Sequence, residues 1–374
     1  MKILQLGKFY PPSLGGIQLV MYDITETINK NKDIECDVLC SNDVNLYTEE
    51  VINNYRVFRT KTFGTYFATS ISPQMIFKLR NIISEYDIIH IHLPDPMANL
   101  ALFFANTKNK KIILHWHSDI IKQKYLLKLY EPLQNWLMKR ADKIIATTPK
   151  YIKESKYLQN FASKCISIPI GIDKDKLKSN IEFVNNIKDK YKDKKIIFSL
   201  GRLVYYKGFE YLIDSAKYLT DEYVILIGGN GPLKESLQNK IIKNGLENKV
   251  KLLGRVEDDV LGSYYEACDI YCLPSIVKSE AFGIVQIEAM SFSKPIVATK
   301  IDGSGVDWVN KNHVSGINVN PKDSKELVVA FNKLMSNNDI YKKYSEGSKN
   351  RFTKLFDRDT MANSIFNLYK EILK

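Results

Sequence analysis

No apolar run in this 374-residue chain approaches the roughly 18 residues that a membrane-spanning helix needs. The first ten residues hold only one short apolar stretch, Ile3–Leu6. It reads as a first strand and not as a signal peptide, so a cytoplasmic chain is expected. Cysteine is scarce: Cys36, Cys40, Cys165, Cys268 and Cys272. Two pairs with four-residue spacing lie in strand-like contexts (CDVLC, CDIYC), which favours small buried hydrophobes in a reducing compartment over a metal site or a disulfide. The G-x-G-x-x-G fingerprint of dinucleotide binders and the G-x-x-x-x-G-K-[ST] loop are both missing. No nucleic-acid recognition motif occurs either, so nucleic acid is not an expected partner.

What is present is alternation. Ile3–Leu6, Val38–Cys40, Ile88–His92, Ile112–Trp116 and Lys143–Ala146 read as buried strands, with helical stretches between them at Ile17–Asn29, Pro73–Ser84, Pro96–Ala105 and Leu126–Arg140. A second series follows: Lys195–Leu200, Tyr223–Ile227, Val250–Leu253, Ile270–Leu273 and Pro295–Ala298. Its helices are Phe209–Leu219, Leu233–Asn244, Val256–Cys268 and Gly283–Phe292. Strand–helix alternation implies parallel sheets with right-handed crossovers. The chain is too long for one ordinary core. The fold class is therefore α/β, as two Rossmann-like, doubly wound domains facing across a cleft. The first spans 1–170 and the second 190–354, joined by the polar, lysine-rich stretch Ile168–Lys195. A last helix, at about 355–374, crosses back to the first domain.

The net charge is +12, and most of it is local: Ala101–Ile168 carries 13 Lys/Arg against 4 Asp/Glu. Within it, Lys122, Lys124, Lys128, Lys139 and Arg140 interleave with Tyr125, Leu126, Leu127, Leu129, Leu133, Trp136 and Leu137. That pattern fits a basic amphipathic helix on an anionic membrane surface, or a helix whose apolar stripe packs on the sheet.

Ligands of open α/β sheets bind beyond the carboxyl ends of the strands, and the polar motifs fall there. Gly15 and Gly16 open a helix after the first strand, where backbone can approach an anion. Arg202 and Lys207 follow the strand ending at Leu200, two cations suited to a diphosphate leaving group. Gly229 and Gly231, in GGNGPL, either bring backbone to a ligand or simply form a loop. Glu280 and Glu288 stand eight residues apart in SEAFGIVQIEAM. With a helix starting near Gly283, both carboxylates can face one cleft, and the N–H groups of Phe282, Gly283 and Ile284 stay free for phosphate or sugar oxygens. His90 and His92 alternate on one strand, His115 and His117 on another. A four-histidine metal site is conceivable, but no acid or cysteine with ligand spacing accompanies it. His117 reads as lining the site, and His90 and His115 as packed and hydrogen-bonded.

Taken together, these motifs resemble glycosyltransferase family 4, with its GT-B fold and retaining chemistry. The most specific piece is Glu280-x7-Glu288. Others are GGIQ at 15–18, HWHSD at 115–119, GRLVYYKG at 201–208 and GSGVDWVNKNHVSG at 303–316. The stretch HWHSDIIKQKYLLKLYEPLQ is further similar to bacterial transferases of mannosyl and rhamnosyl type that build O-antigen and other surface polysaccharides. The resemblance implies hexosyl transfer from a nucleotide-diphosphate sugar to a saccharide or polyprenyl-linked saccharide. The donor would be GDP-mannose-like, with a UDP-sugar as the alternative. By the same resemblance, Arg202 and Lys207 hold the diphosphate, Gly16 lies beside it, and Val256 lies near the base. Glu288 holds the ribose, Glu280 the donor hydroxyls near C3 and C4, and His117 the sugar near C6. No cofactor or metal is expected, and domain closure would assemble the site. A nucleotide-sugar epimerase, a phosphorylase or a silent sugar-nucleotide binder are the rival readings on similar architecture.

Overall fold

The structure is a computed structural model describing residues 1–13, 15–67, 69–120 and 124–374. It divides into two compact units, one of Met1–Gly171 with Arg358–Lys374, the other of Ile172–Asp357. Among the described residues, no helix is long and apolar enough to cross a membrane. All five cysteines are free, and all but Cys165 are buried.

The first unit contains β1 (Lys2–Gly7), β2 (Glu35–Ser41), β3 (Thr48–Ile52), β4 (Tyr55–Thr60), β5 (Thr65–Tyr66), β6 (Thr69–Ser70), β7 (Ile88–Leu93), β8 (Lys111–Trp116), β9 (Lys143–Ala146) and β10 (Cys165–Ser167). Its helices are α1 (Gly16–Ile28), α2 (Gln74–Ile82), α3 (Pro96–Phe103), α4 (Lys124–Arg140) and α5 (Pro149–Glu154), with the C-terminal helix Arg358–Leu373 added to them. Eight strands form one sheet in the order β10-β9-β8-β7-β1-β2-β4-β3, and β5 and β6 form a small ribbon of their own. The sheet is parallel except where β3 pairs antiparallel with β4. Strands such as β7 and β8 are near-continuously buried because helices cover both faces. The last helix packs on α1.

The second unit contains β11 (Lys195–Leu200), β12 (Tyr223–Gly228), β13 (Val250–Gly254), β14 (Ile270–Leu273), β15 (Ile296–Thr299) and β16 (Gly316–Val319). Its helices are α6 (Ile181–Lys190), α7 (Phe209–Ser215), α8 (Lys234–Lys243), α9 (Asp258–Ala267), α10 (Ile284–Ser291), α11 (Val306–Val309), α12 (Ser324–Leu334) and α13 (Asn338–Arg351). The six strands run parallel in the order β13-β12-β11-β14-β15-β16. Numbered from β11, that is 3-2-1-4-5-6, the order of a dinucleotide-binding sheet, whose switch point lies between its first and fourth strands. The first unit has the same kind of switch point, between β1 and β7.

The lysine-rich stretch expected as a joining segment is instead part of the second unit. Asn180 caps α6 by accepting from the N–H of Phe183, and Val184 and Ile187, three apart, are buried. The helix packs on α9, where Phe183 meets Tyr264 edge to face. Its lysines fill the outward face, so their abundance marks exposure and not a linker.

Candidate active site

At the switch point of the second unit, Lys207 lies in a single helical turn, Tyr205–Lys207, just after β11. The turn ends at Gly208, whose φ of 67° is left-handed and whose Cβ, if present, would stand 2.1 Å from the Pro274 carbonyl oxygen. Only glycine fits that approach, and it draws the turn against the loop after β14. There the N–H of Ile276 donates to the Tyr206 carbonyl at 2.9 Å. As a result Lys207 Nζ stands 2.6 Å from Glu280 Oε2, both side chains about nine-tenths buried. Ser275 Oγ donates to the same carboxylate oxygen at 3.0 Å. Burial alone pulls the Lys207 pKa down, but the charge and hydrogen bond of Glu280 outweigh it, so the ammonium titrates above its usual range.

Glu288 sits on α10, among aromatic rings. Tyr265 donates to its Oε2 at 2.6 Å, and Tyr265 in turn stacks on Phe292 and meets Phe198 edge to face. Burial raises the Glu288 pKa against the opposing Tyr265 bond and Lys207 charge. Phe282, Gly283 and Ile284 lead into α10, with Gly283 as the left-handed cap. No acceptor among the described residues takes their three N–H groups. Gly305 N donates back to Ala281 O and Ser304 Oγ to Glu280 O, which pins the loop that carries Glu280.

Other expected groups divide. Arg202 is exposed, and its guanidinium has no partner among the described residues. Val256 is half-buried just beyond β13, beside Gly228. Gly229 and Gly231 serve contacts between loops: a Cβ would lie 1.9 Å from Gly201 O at the first and 2.5 Å from Leu203 O at the second. The loop reading of GGNGPL is thus the one with a contact behind it. Ser275 and Tyr265, which hold the two carboxylates, carry no motif that sequence reasoning could have used.

In the first unit, β7 and β8 pair with His92 opposite His115, so the four histidines share one face of the sheet. Their rings form a nearly parallel ladder, with centroids 4.1 to 5.4 Å apart. Burial lowers all four pKa values, to about 3 for His90 and His117, so the rings are neutral. His117 Nε2 lies 3.0 Å from His92 Nδ1, and His92 Nε2 lies 2.8 Å from Gln5 Oε1. His90 Nδ1 meets the hydroxyl of Tyr369. His115 is packed as expected, but neither of its nitrogens has a hydrogen-bond partner among the described residues. His90, His92 and His115 bring ligand nitrogens within 4.8 Å of one another. Both nitrogens of His92, however, already lie within hydrogen-bond distance of a side chain, His117 on one side and Gln5 on the other. Gly15 and Gly16 begin α1 with no side-chain cap, and Gln5, the partner of His92, was not singled out by any motif.

Residues 14–176 match the model of glycosyltransferase family 4, and residues 180–351 that of glycosyl transferases group 1. O-antigen chain mannosyltransferase C of Escherichia coli is 30% identical over 375 residues, covering 100% of this chain and 99% of that protein. The chain belongs to glycosyltransferase family 4. This family-4 enzyme is also 28% identical to the D-rhamnosyltransferase WbpZ of Pseudomonas aeruginosa, over 95% of its own length and 92% of the relative's. Among solved structures, Anabaena Alr3699/HepE, crystallised with UDP, matches at a TM-score of 0.79 and 21% identity over 99% of this chain and 100% of that one. A sucrose-phosphate synthase from Thermosynechococcus elongatus matches at 0.77 and 17%, over 100% and 99%. The fold is GT-B, and the enzyme is a hexosyltransferase.

Proposed function

We propose that this family-4 enzyme moves a hexosyl group from a GDP-mannose-like donor to a saccharide or polyprenyl-linked saccharide during surface-polysaccharide synthesis, with retention at the anomeric carbon and without a metal. The observation that carries the reading is the buried Lys207–Glu280 pair at the switch point, with the unbonded N–H groups of the α10 entrance beside it. An ammonium and free amides at that place suit a diphosphate. A carboxylate held by Lys207 and Ser275 suits sugar hydroxyls, which need acceptors. Glu288, held by Tyr265, suits the ribose diol. The likeness to a mannosyl- and a rhamnosyltransferase of O-antigen type favours a GDP-linked donor and a polysaccharide product.

In the proposed step, the bond from C1 to the diphosphate oxygen breaks and the acceptor oxygen bonds C1 on the same face. The acceptor's proton passes to the leaving diphosphate. Lys207 and Arg202 take up the charge that grows there, and His117 contacts the sugar. Activity is then expected to survive EDTA; abolition by EDTA and recovery with magnesium would remove the metal-free step. Calorimetry with GDP and UDP, on the wild type and Glu288→Ala, tests the donor. Tighter binding of GDP, weakened about tenfold in the variant, is the expected result. Preference for UDP discards the GDP-linked donor.

A lipid-linked acceptor also asks for a membrane-facing surface. Lys122 lies outside the described residues. From Leu127 on, the apolar stripe of α4 mostly packs inward, with Leu137 and Met138 buried, while Leu129, Phe103 and Phe104 stay exposed, as do Lys128 and Lys139. Flotation with anionic vesicles, and none with neutral ones, is the expected outcome.

A further inference from the structure

We infer that Gln5 and His92 fix the tautomer of His117, through a hydrogen-bond chain that leaves His117 Nδ1 as a bare acceptor for a substrate hydroxyl. The inference rests on the proposed role of His117 and deepens it: it names the chemistry that His117 offers and two positioning residues that impose it.

The chain starts at the amide of Gln5 on β1. Its Nε2 faces the Tyr369 hydroxyl oxygen at 3.1 Å and Cys36 Sγ at 3.6 Å, both able to accept. Its Oε1 faces His92 Nε2, at 2.8 Å, and an amide oxygen can only accept. The rings are buried and neutral, and a neutral imidazole has one donor nitrogen and one acceptor. His92 Nε2 must then carry the hydrogen, and His92 Nδ1 must accept. The group it accepts from is His117 Nε2, at 3.0 Å. His117 Nε2 carries its hydrogen, and His117 Nδ1 is left with a lone pair.

Among the described residues that nitrogen has no hydrogen-bond partner, and it is shielded from solvent. Leaving a buried acceptor unsatisfied is costly, so a ligand that satisfies it gains accordingly. The ligand group must be a donor. A sugar hydroxyl qualifies, whereas a phosphate oxygen, a carboxylate or a ring ether does not. Tyr369 completes the chain at its other end: its oxygen accepts from Gln5, which leaves its hydrogen for His90 Nδ1, 2.5 Å away. The C-terminal helix thus takes part in orienting a group at the carboxyl end of β8.

Nitrogen-15 spectra of the imidazoles test this directly. The chain has only five histidines, so each ring can be assigned by single substitution. The expected wild-type spectrum shows His117 with a protonated Nε2 and a bare Nδ1, unchanged between about pH 6 and 8. A protonated Nδ1 overturns the inference at once, because it means that the chain runs the other way. In folded Gln5→Leu, His92 loses its acceptor. His117 is then expected to populate both tautomers, with kcat down about tenfold or more and donor KM little changed. Gln5→Glu restores an acceptor toward His92 and is expected to recover the single tautomer and most of the lost kcat. An unmoved His117 tautomer in folded Gln5→Leu also overturns the inference. The wild-type spectrum decides even if Gln5→Leu does not fold. The spectrum does not depend on turnover, whereas His117→Ala measures transfer itself, so the chain and the proposed role of His117 fail separately.

Discussion

The two units share a central strand order and place polar side chains at equivalent switch points, yet they treat charge in opposite ways. In the first unit the groups are imidazoles, stacked face to face and stripped of charge by burial. In the second they are a lysine and two glutamates, and the lysine keeps its charge because Glu280 answers it at 2.6 Å. A sheet interior accepts either solution, since what it penalises is an unanswered charge. The difference matches the chemistry proposed for each side. Neutral acceptors suit hydroxyl groups, and a cation–carboxylate pair suits a ligand that brings phosphate charge and hydroxyls together.

The strongest way to break this comparison is to strip the pair of one partner. Lys207→Met leaves Glu280 buried with an uncompensated charge, which typically costs about 3–5 kcal/mol. It also removes a cation from the leaving group, for an expected loss in kcat of about 10²- to 10³-fold. Lys207→Met combined with Glu280→Met should recover much of the stability and none of the activity. Denaturant unfolding and initial rates on the wild type, Lys207→Met, Glu280→Met and the double variant measure both. A double variant as unstable as the sum of the two single ones would mean that the pair is not a coupled, buried unit.

Acid should separate the two units next. The ladder histidines have folded pKa values below the unfolded value of about 6.5. Their contribution is present above that pH and is lost as pH falls toward the folded values. The slope is on the order of 1.4 kcal/mol per pH unit for each histidine. Buried Asp95 works the other way: its pKa is raised to about 6, so the native state gains as it protonates, offsetting part of one histidine's slope on the way down. Hydrogen exchange at decreasing pH should therefore show the first unit opening first. Equal loss of protection in both sheets would remove the distinction.

Alternation alone located most of the strands. Lys143–Ala146, Lys195–Leu200 and Ile270–Leu273 form over the very residues expected. The β3–β4 hairpin was missed because β3 is an edge strand, exposed along its middle, and shows no apolar alternation. Its turn left a signal nonetheless: Asn53 and Asn54 both take positive φ, as asparagines in tight hairpins do. At the site, Lys207, Glu280, Glu288 and His117 were each legible as polar groups beyond strand ends. Their pairing was not, because it depends on which loops meet. Gln5 and Tyr369 are 364 positions apart, and no spacing rule links them.

Smaller effects sharpen the picture in the second unit. Gly231→Ala would push a Cβ to 2.5 Å from the Leu203 carbonyl oxygen, which lies in the same loop as Arg202. The expected cost is about 1–3 kcal/mol, together with weaker donor binding as the loop shifts. Thermal unfolding and nucleotide titration read the two effects. Unchanged stability would mean that the loop yields without strain.

Arg202→Ala should leave stability nearly untouched, within about 0.5 kcal/mol, because the side chain is exposed and holds no partner among the described residues. That makes it the cleanest separation of function from folding in the second unit. Lys207 both answers a buried carboxylate and faces the proposed diphosphate, so its loss mixes the two. Arg202 has only the second task. An expected fall in kcat/KM of about tenfold or more, at unchanged melting temperature, would assign the leaving-group charge to both cations. If kcat/KM did not fall, Lys207 and the α10 amides would have to carry that charge alone. The exposed arginine would then be a solvated surface residue, and the charged side of the comparison would shrink to the buried pair.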